Sequence, residues 1–185
     1  DLIGQEVIAQ ILQNAIRSNR VAHAFLFSGS RGVGKTSAAR ILTKALNCLE
    51  PDNVDPCNTC ENCREISSNA SADVYEIDAA SNRGIENIRE LRENVKYAPA
   101  RCRYKVYIID EAHMLTLESF NALLKTLEEP PNHVKFILAT TDPHKVPVTI
   151  LSRCQRYDFQ RIPLPQMLEF LNQAAVQENL QLSPK

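Results

Sequence analysis

Short runs rich in strand-forming residues alternate along this chain with longer stretches whose apolar residues recur every third or fourth position. The runs at 24–28, 74–78, 105–109, 135–140 and 155–161 are predicted strands. One of them, Val106-Tyr107-Ile108-Ile109, is apolar without alternation, as expected of a central strand covered on both faces. The stretches at 6–17, 36–47, 85–95, 117–128 and 167–178 are predicted helices. In the third, Ile85, Ile88, Leu91, Arg92 and Val95 keep the spacing of a stripe turned toward a core. Strands alternating with helices in this way predict an α/β fold, a parallel sheet with covering helices.

Two segments break the rhythm. Residues 48–64 are poor in apolar side chains and rich in Pro, Asn, Asp and Cys, too polar to build a core of their own. Ile162-Pro163-Leu164-Pro165 reads as a hinge, which divides the chain into a main domain at 1–162 and the start of a second at 163–185. With no initiator Met at Asp1 and a second unit that is cut off at Lys185, the chain is expected to be a fragment.

Composition narrows the choices. The 185 residues are 44% apolar and 23% charged, ordinary for a globular domain, and the net charge of −1 gives no bulk attraction to nucleic acid. No apolar run is long enough for a membrane span or a signal-peptide core. A cytoplasmic location is expected, and in reducing cytosol six cysteines favour metal ligands or catalytic thiols over disulfides.

The sharpest motif is Gly29-Ser30-Arg31-Gly32-Val33-Gly34-Lys35-Thr36, which fits G-x-x-x-x-G-K-[ST] between a predicted strand and a predicted helix. Its glycines let successive backbone N–H groups turn toward phosphate oxygens, and the helix N-terminus adds partial positive charge. Lys35 is placed to reach the β- and γ-phosphates of ATP, and the Thr36 hydroxyl to hold Mg²⁺; Ser37 completes the candidate nucleotide-binding segment. Downstream, a central strand ends in Asp110-Glu111, Asp110 suited to Mg²⁺ through water and Glu111 to polarising an attacking water. Thr141, past another central strand, is a candidate for touching the γ-phosphate or the water; a Thr that merely opens a turn fits as well. Arg153 is either a finger offered to a neighbouring subunit's γ-phosphate or a surface salt-bridge partner.

Cys57, Cys60 and Cys63 form two overlapping C-x-x-C pairs, with Cys48 upstream. Four thiolates suit a closed, structural Zn²⁺ site within 48–63, and the metal would order a segment that burial cannot. A redox pair is the competing reading. Cys102 and Cys154 stand apart, and His23, His113, His133 and His144 show no paired spacing.

Taken in order, Leu2-Ile3-Gly4-Gln5, the phosphate loop, Asp110-Glu111-Ala112-His113-Met114-Leu115, residues 122–131 (ALLKTLEEPP), Ala139-Thr140-Thr141-Asp142 and Ser152-Arg153-Cys154 resemble the clamp-loader branch of the AAA+ ATPases. The cysteine insertion narrows the resemblance to the bacterial gamma/tau family. That resemblance implies a five-stranded parallel sheet, a helical lid beginning at 163–185, and a pentameric ring with delta, delta-prime and other gamma/tau copies. It further implies ATP-driven loading of a sliding clamp onto primed DNA within the DNA polymerase III holoenzyme, a nucleotidyltransferase, with no polymerase chemistry in this chain and no membrane partner. Thr141 would be the first sensor, and Arg153 would act in trans. Arg83, before a predicted helix, is a candidate for a DNA backbone phosphate or simply a solvated cap. Two rival readings are a helicase, since Asp110-Glu111-Ala112-His113 spells a helicase box, and a non-hydrolysing delta-prime-like scaffold.

Overall fold

A computed structural model describes residues 2–81 and 85–177. Five strands, β1 (Ala24–Ser28), β2 (Val74–Asp78), β3 (Lys105–Asp110), β4 (Val134–Thr140) and β5 (Gln155–Asp158), form one sheet in the order β2-β3-β4-β1-β5, every neighbouring pair parallel. The helices are α1 (Glu6–Arg17), α2 (Lys35–Asn47), α3 (Glu61–Ser67), α4 (Ile85–Asn94), α5 (Leu117–Glu128), α6 (Val148–Leu151) and α7 (Leu164–Gln177).

The unbroken apolar strands are buried because both faces are covered. Alternate side chains of a strand point to opposite faces, so β3 sends Val106 and Ile108 one way and Tyr107 and Ile109 the other. On the first face, Phe25, Phe27, Val106, Ile108 and Ile137 pack with Leu12 of α1 and Ala38, Leu42 and Leu46 of α2. On the second, Leu26, Tyr107, Ile109, Phe136 and Leu138 pack with Ile88 and Leu91 of α4 and Phe120, Leu123 and Leu127 of α5. The result is three layers.

Local chemistry sets the helix ends. Asn19, in the left-handed region at φ 53°, closes α1 as the Arg20 N–H returns to the Ala15 carbonyl. At the start of α5, the Thr116 hydroxyl accepts from the Ser119 N–H at 3.2 Å.

Three elements depart from the sequence expectation. Helix α3 was not expected; it forms because Ile66 and Cys63 are drawn into buried positions, 2% and 0% exposed. Strand β5 stops at Asp158, short of 161, once pairing with β1 is exhausted at Ser28. The hinge is shorter than expected, since α7 already begins at Leu164: Pro165 falls in the first helical turn, where its missing N–H costs nothing. No helix among the described residues is long and apolar enough to cross a membrane.

Candidate functional site

The carboxyl ends of β1, β3 and β4 converge, the usual place for ligands on an open parallel sheet. Beyond Ser28 the chain passes through Gly29, where a Cβ would stand 2.6 Å from the Phe159 carbonyl oxygen, so only glycine fits. Gly34, at φ 93°, turns the backbone into α2. Arg31, Gly32 and Ser37 are exposed, while Val33 anchors the loop in the core at 6% exposure. Lys35 is buried, its Nζ donating to the carbonyls of Gly29 and Ser30 at 2.9 Å each. Burial pulls its pKa down, while Glu111 and Asp110 pull the other way. The cationic Nζ thus lies in the curl of the loop with α2's first amides alongside.

Opposite the loop, Asp110 Oδ2 accepts from the Thr36 hydroxyl at 2.7 Å, and its Oδ1 accepts from the Glu111 N–H at 2.8 Å. Those two oxygens, Thr36 Oγ1 and Asp110 Oδ2, form the hard-oxygen pair on which a divalent cation could sit. Glu111 adopts φ 46°, ψ 43°, an uncommon conformation for this residue type, of the kind that recurs at functional sites. It aims the carboxylate back at β4, where the Thr141 hydroxyl donates to Glu111 Oε2 at 3.0 Å. His113 Nδ1 lies 3.4 Å from the same oxygen and 3.1 Å from Thr140 Oγ1. Lys35, Thr36, Asp110, Glu111 and Thr141 are therefore brought together. His113 was missed in the sequence because no paired spacing marks it.

Arg153, just past α6, lies outside this constellation. Its guanidinium donates to Glu128 Oε1 at 2.6 Å and to the Thr149 carbonyl at 2.6 Å. Arg83 lies outside the described residues.

The cysteines form a separate centre. The sulfur atoms of Cys48, Cys57, Cys60 and Cys63 all lie within 4.8 Å of one another, Cys48 and Cys60 at 3.9 Å. Tetrahedral Zn–S bonds of ~2.3 Å require sulfurs about 3.8 Å apart, so the donor set fits a closed zinc site. Cys48 caps the end of α2, Cys60 the start of α3, and Cys63 lies inside α3. The Thr59 side chain, with the N–H of Cys60, brings the Cys57 thiol down to about 6, favouring the thiolate a metal needs; burial pushes Cys63 up. The insertion is tied to its surroundings by Gln13 to Asp55 at 3.0 Å, Lys44 to Asn58 at 2.7 Å and Asn62 to the Asn47 carbonyl at 2.8 Å. Cys102 and Cys154 stay apart from the cluster, and burial raises them to about 11 and about 12. A cavity of about 400 Å³ lies between α1, α2 and the insertion, away from the phosphate loop, which is a surface cradle.

The fold and this site define an AAA+ protein of the P-loop class. Solved structures agree on the fold: a DNA polymerase III gamma subunit-related protein from Thermotoga maritima aligns at TM-score 0.59 and 24% identity, over 90% of this chain and 49% of that one. The RuvB Holliday junction branch migration motor of Thermotoga maritima aligns at TM-score 0.67 and 18% identity, over 98% of this chain and 53% of its own. Residues 4–163 match the family model described as DNA polymerase III, delta subunit, and the chain belongs to that family. It is 55% identical over 182 residues to DNA polymerase III subunit tau of Bacillus subtilis, covering 98% of this chain and 32% of that protein. It is 53% identical to the tau subunit of Escherichia coli over 185 residues, 100% of this chain and 29% of that protein. The chain thus spans about a third of the length of these two relatives.

Proposed function

We propose that this chain is the ATP-hydrolysing module of a bacterial replicative clamp loader of the gamma/tau type. In this reading ATP binding and hydrolysis drive loading of a sliding clamp onto primed DNA, in the cytoplasm, together with delta, delta-prime and further gamma/tau copies. The observation that carries it is the 2.7 Å bond from Thr36 to Asp110 across a loop whose buried Lys35 cation points inward. A domain at 1–162 would hold the site, with 163–185 opening a lid.

The chemistry follows from where charge develops. The amides of Gly29 to Thr36 and the Lys35 ammonium would grip the β- and γ-phosphates, and Gly29, Ser30, Arg31, Gly32, Val33, Gly34 and Ser37 would line that grip. Thr36 and Asp110 would hold Mg²⁺, which when bound spreads the negative charge of the phosphates. Glu111 would accept a proton from the attacking water, with Thr141 as a hydroxyl partner that leaves Glu111 for the γ-phosphate. Arg153 is bonded to Glu128 and Thr149 and not to its own chain's phosphate loop, which suits a finger given to a neighbour. Zn²⁺ on the four cysteines would order the insertion without taking part in hydrolysis.

The delta description of the family model keeps a non-hydrolysing scaffold as a second reading. The full set of Lys35, Thr36, Asp110 and Glu111 argues against it, as a scaffold needs no proton acceptor beside a metal pair. Titration of the full-length protein with an ATP analogue and Mg²⁺ tests the choice. Lys35→Ala is expected to abolish binding, and Arg153→Ala to spare binding but slow hydrolysis in the assembled complex by about 10³-fold or more. A wild type that binds no nucleotide would return the chain to the scaffold class.

A further inference from the structure

Arg153 does not wave freely in solvent. Nη2 donates to Glu128 Oε1 at 2.6 Å, Nη1 donates to the Thr149 carbonyl at 2.6 Å, and Nε has no partner among the described residues. Glu128 is the last residue of α5, and α5 is fixed to the sheet through Phe120, Leu123 and Leu127, each no more than 2% exposed. The acceptor is therefore carried on the rigid second face of the core, not on a loop. The pair sits at the surface, with Arg153 31% and Glu128 49% exposed. Ion pairs this open contribute little to folding, yet they restrict a long side chain to one orientation. A planar guanidinium held on two nitrogens also presents its remaining N–H groups in a fixed direction.

We infer that Glu128 is a positioning residue for Arg153: it fixes the guanidinium so that the free Nε edge faces an anionic phosphoryl group on a second chain. This rests on the trans role proposed above for Arg153. Orientation of a charged donor at a transition state alters turnover more than ground-state affinity.

The test uses the full-length protein in its assembled complex, with assembly checked by gel filtration. Glu128→Ala is expected to lower kcat about fivefold, the equivalent of one exposed pair, with KM for ATP and the urea midpoint unchanged. Glu128→Gln keeps a carbonyl acceptor and should retain most of the rate. Combining Glu128→Ala with Arg153→Ala should give the rate of Arg153→Ala alone. If Arg153→Ala is slow while Glu128→Ala turns over at the wild-type rate or faster, Glu128 does not position the arginine. The same conclusion follows if Glu128→Ala slows the Arg153→Ala background further. If Arg153→Ala itself hydrolyses at the wild-type rate, it is the trans role of Arg153 that fails.

Discussion

Asp73 offers a test of the scaffold that carries the site. It stands one residue before β2, 2% exposed, and its carboxylate gathers three backbone donors from the segment leading into β3. Oδ1 accepts from the Ala100 N–H at 2.7 Å, and Oδ2 accepts from Arg101 at 2.8 Å and Cys102 at 2.9 Å. Asp73→Ala strands all three. A buried donor left without an acceptor costs about 1–3 kcal/mol. Only the Cys102 donor is buried, while Ala100 and Arg101 are exposed residues whose N–H groups water can serve, so the total should be about 2–3 kcal/mol, within the ~5–15 kcal/mol stability of a typical domain. Asp73→Asn keeps one oxygen, best used on the Arg101 and Cys102 pair, and should lose roughly half as much.

Acid supplies an independent check. Burial alone would raise the Asp73 pKa, but the three N–H donors and Lys105 outweigh it and hold the carboxyl below its usual value. A carboxylate whose folded pKa is depressed stabilises above its unfolded value, near 3.9, and loses that contribution as pH falls through the folded value. The gap between wild type and Asp73→Asn should therefore be full at neutral pH and shrink below about pH 4. Urea unfolding followed by circular dichroism at several pH values measures both. An Asp73→Ala variant within 1 kcal/mol of wild type at pH 7 would refute the reasoning.

Two other outcomes follow from the geometry. Gly29→Ala puts a methyl 2.6 Å from the Phe159 carbonyl at φ 150°, so it should distort the phosphate loop and weaken ATP-analogue binding at least about tenfold; unchanged affinity by calorimetry would contradict that. For the cysteine centre, metal analysis of purified protein should give about one zinc per chain. Cys63→Ser should lose the metal and lower the thermal midpoint, whereas Cys154→Ser should leave zinc content unaltered; metal-free wild type with reactive Cys57 would overturn the assignment.

The sequence was most legible where structure is local. The central strands β1, β3 and β4 were written as largely apolar runs, and the phosphate loop and Asp110-Glu111 as contiguous letters flanked by the right elements. What stayed hidden depends on residues distant along the chain. Helix α3 owes its place to the burial of Cys63 and Ile66 against the domain, which no periodicity in a seven-residue helix announces. Pairing of β1 with β4 and β5, and not with β2, is set by packing of helices on both faces. His113 gains meaning only when β4 brings Thr140 and Thr141 beside Glu111. Arg153 shows its anchor only when α5 and α6 meet.

The sheet order also fixes a timetable for synthesis. Ala24 of β1 pairs with Phe136 of β4, and Phe25 with Gln155 of β5, so the first strand made has neither neighbour until more than a hundred further residues exist. At ~5–20 residues per second on the ribosome, that is a wait of roughly 5–20 s. Throughout it, Phe25, Leu26 and Phe27 lack the neighbouring strands that complete their burial, an invitation to chaperones and a hazard when expression outruns them.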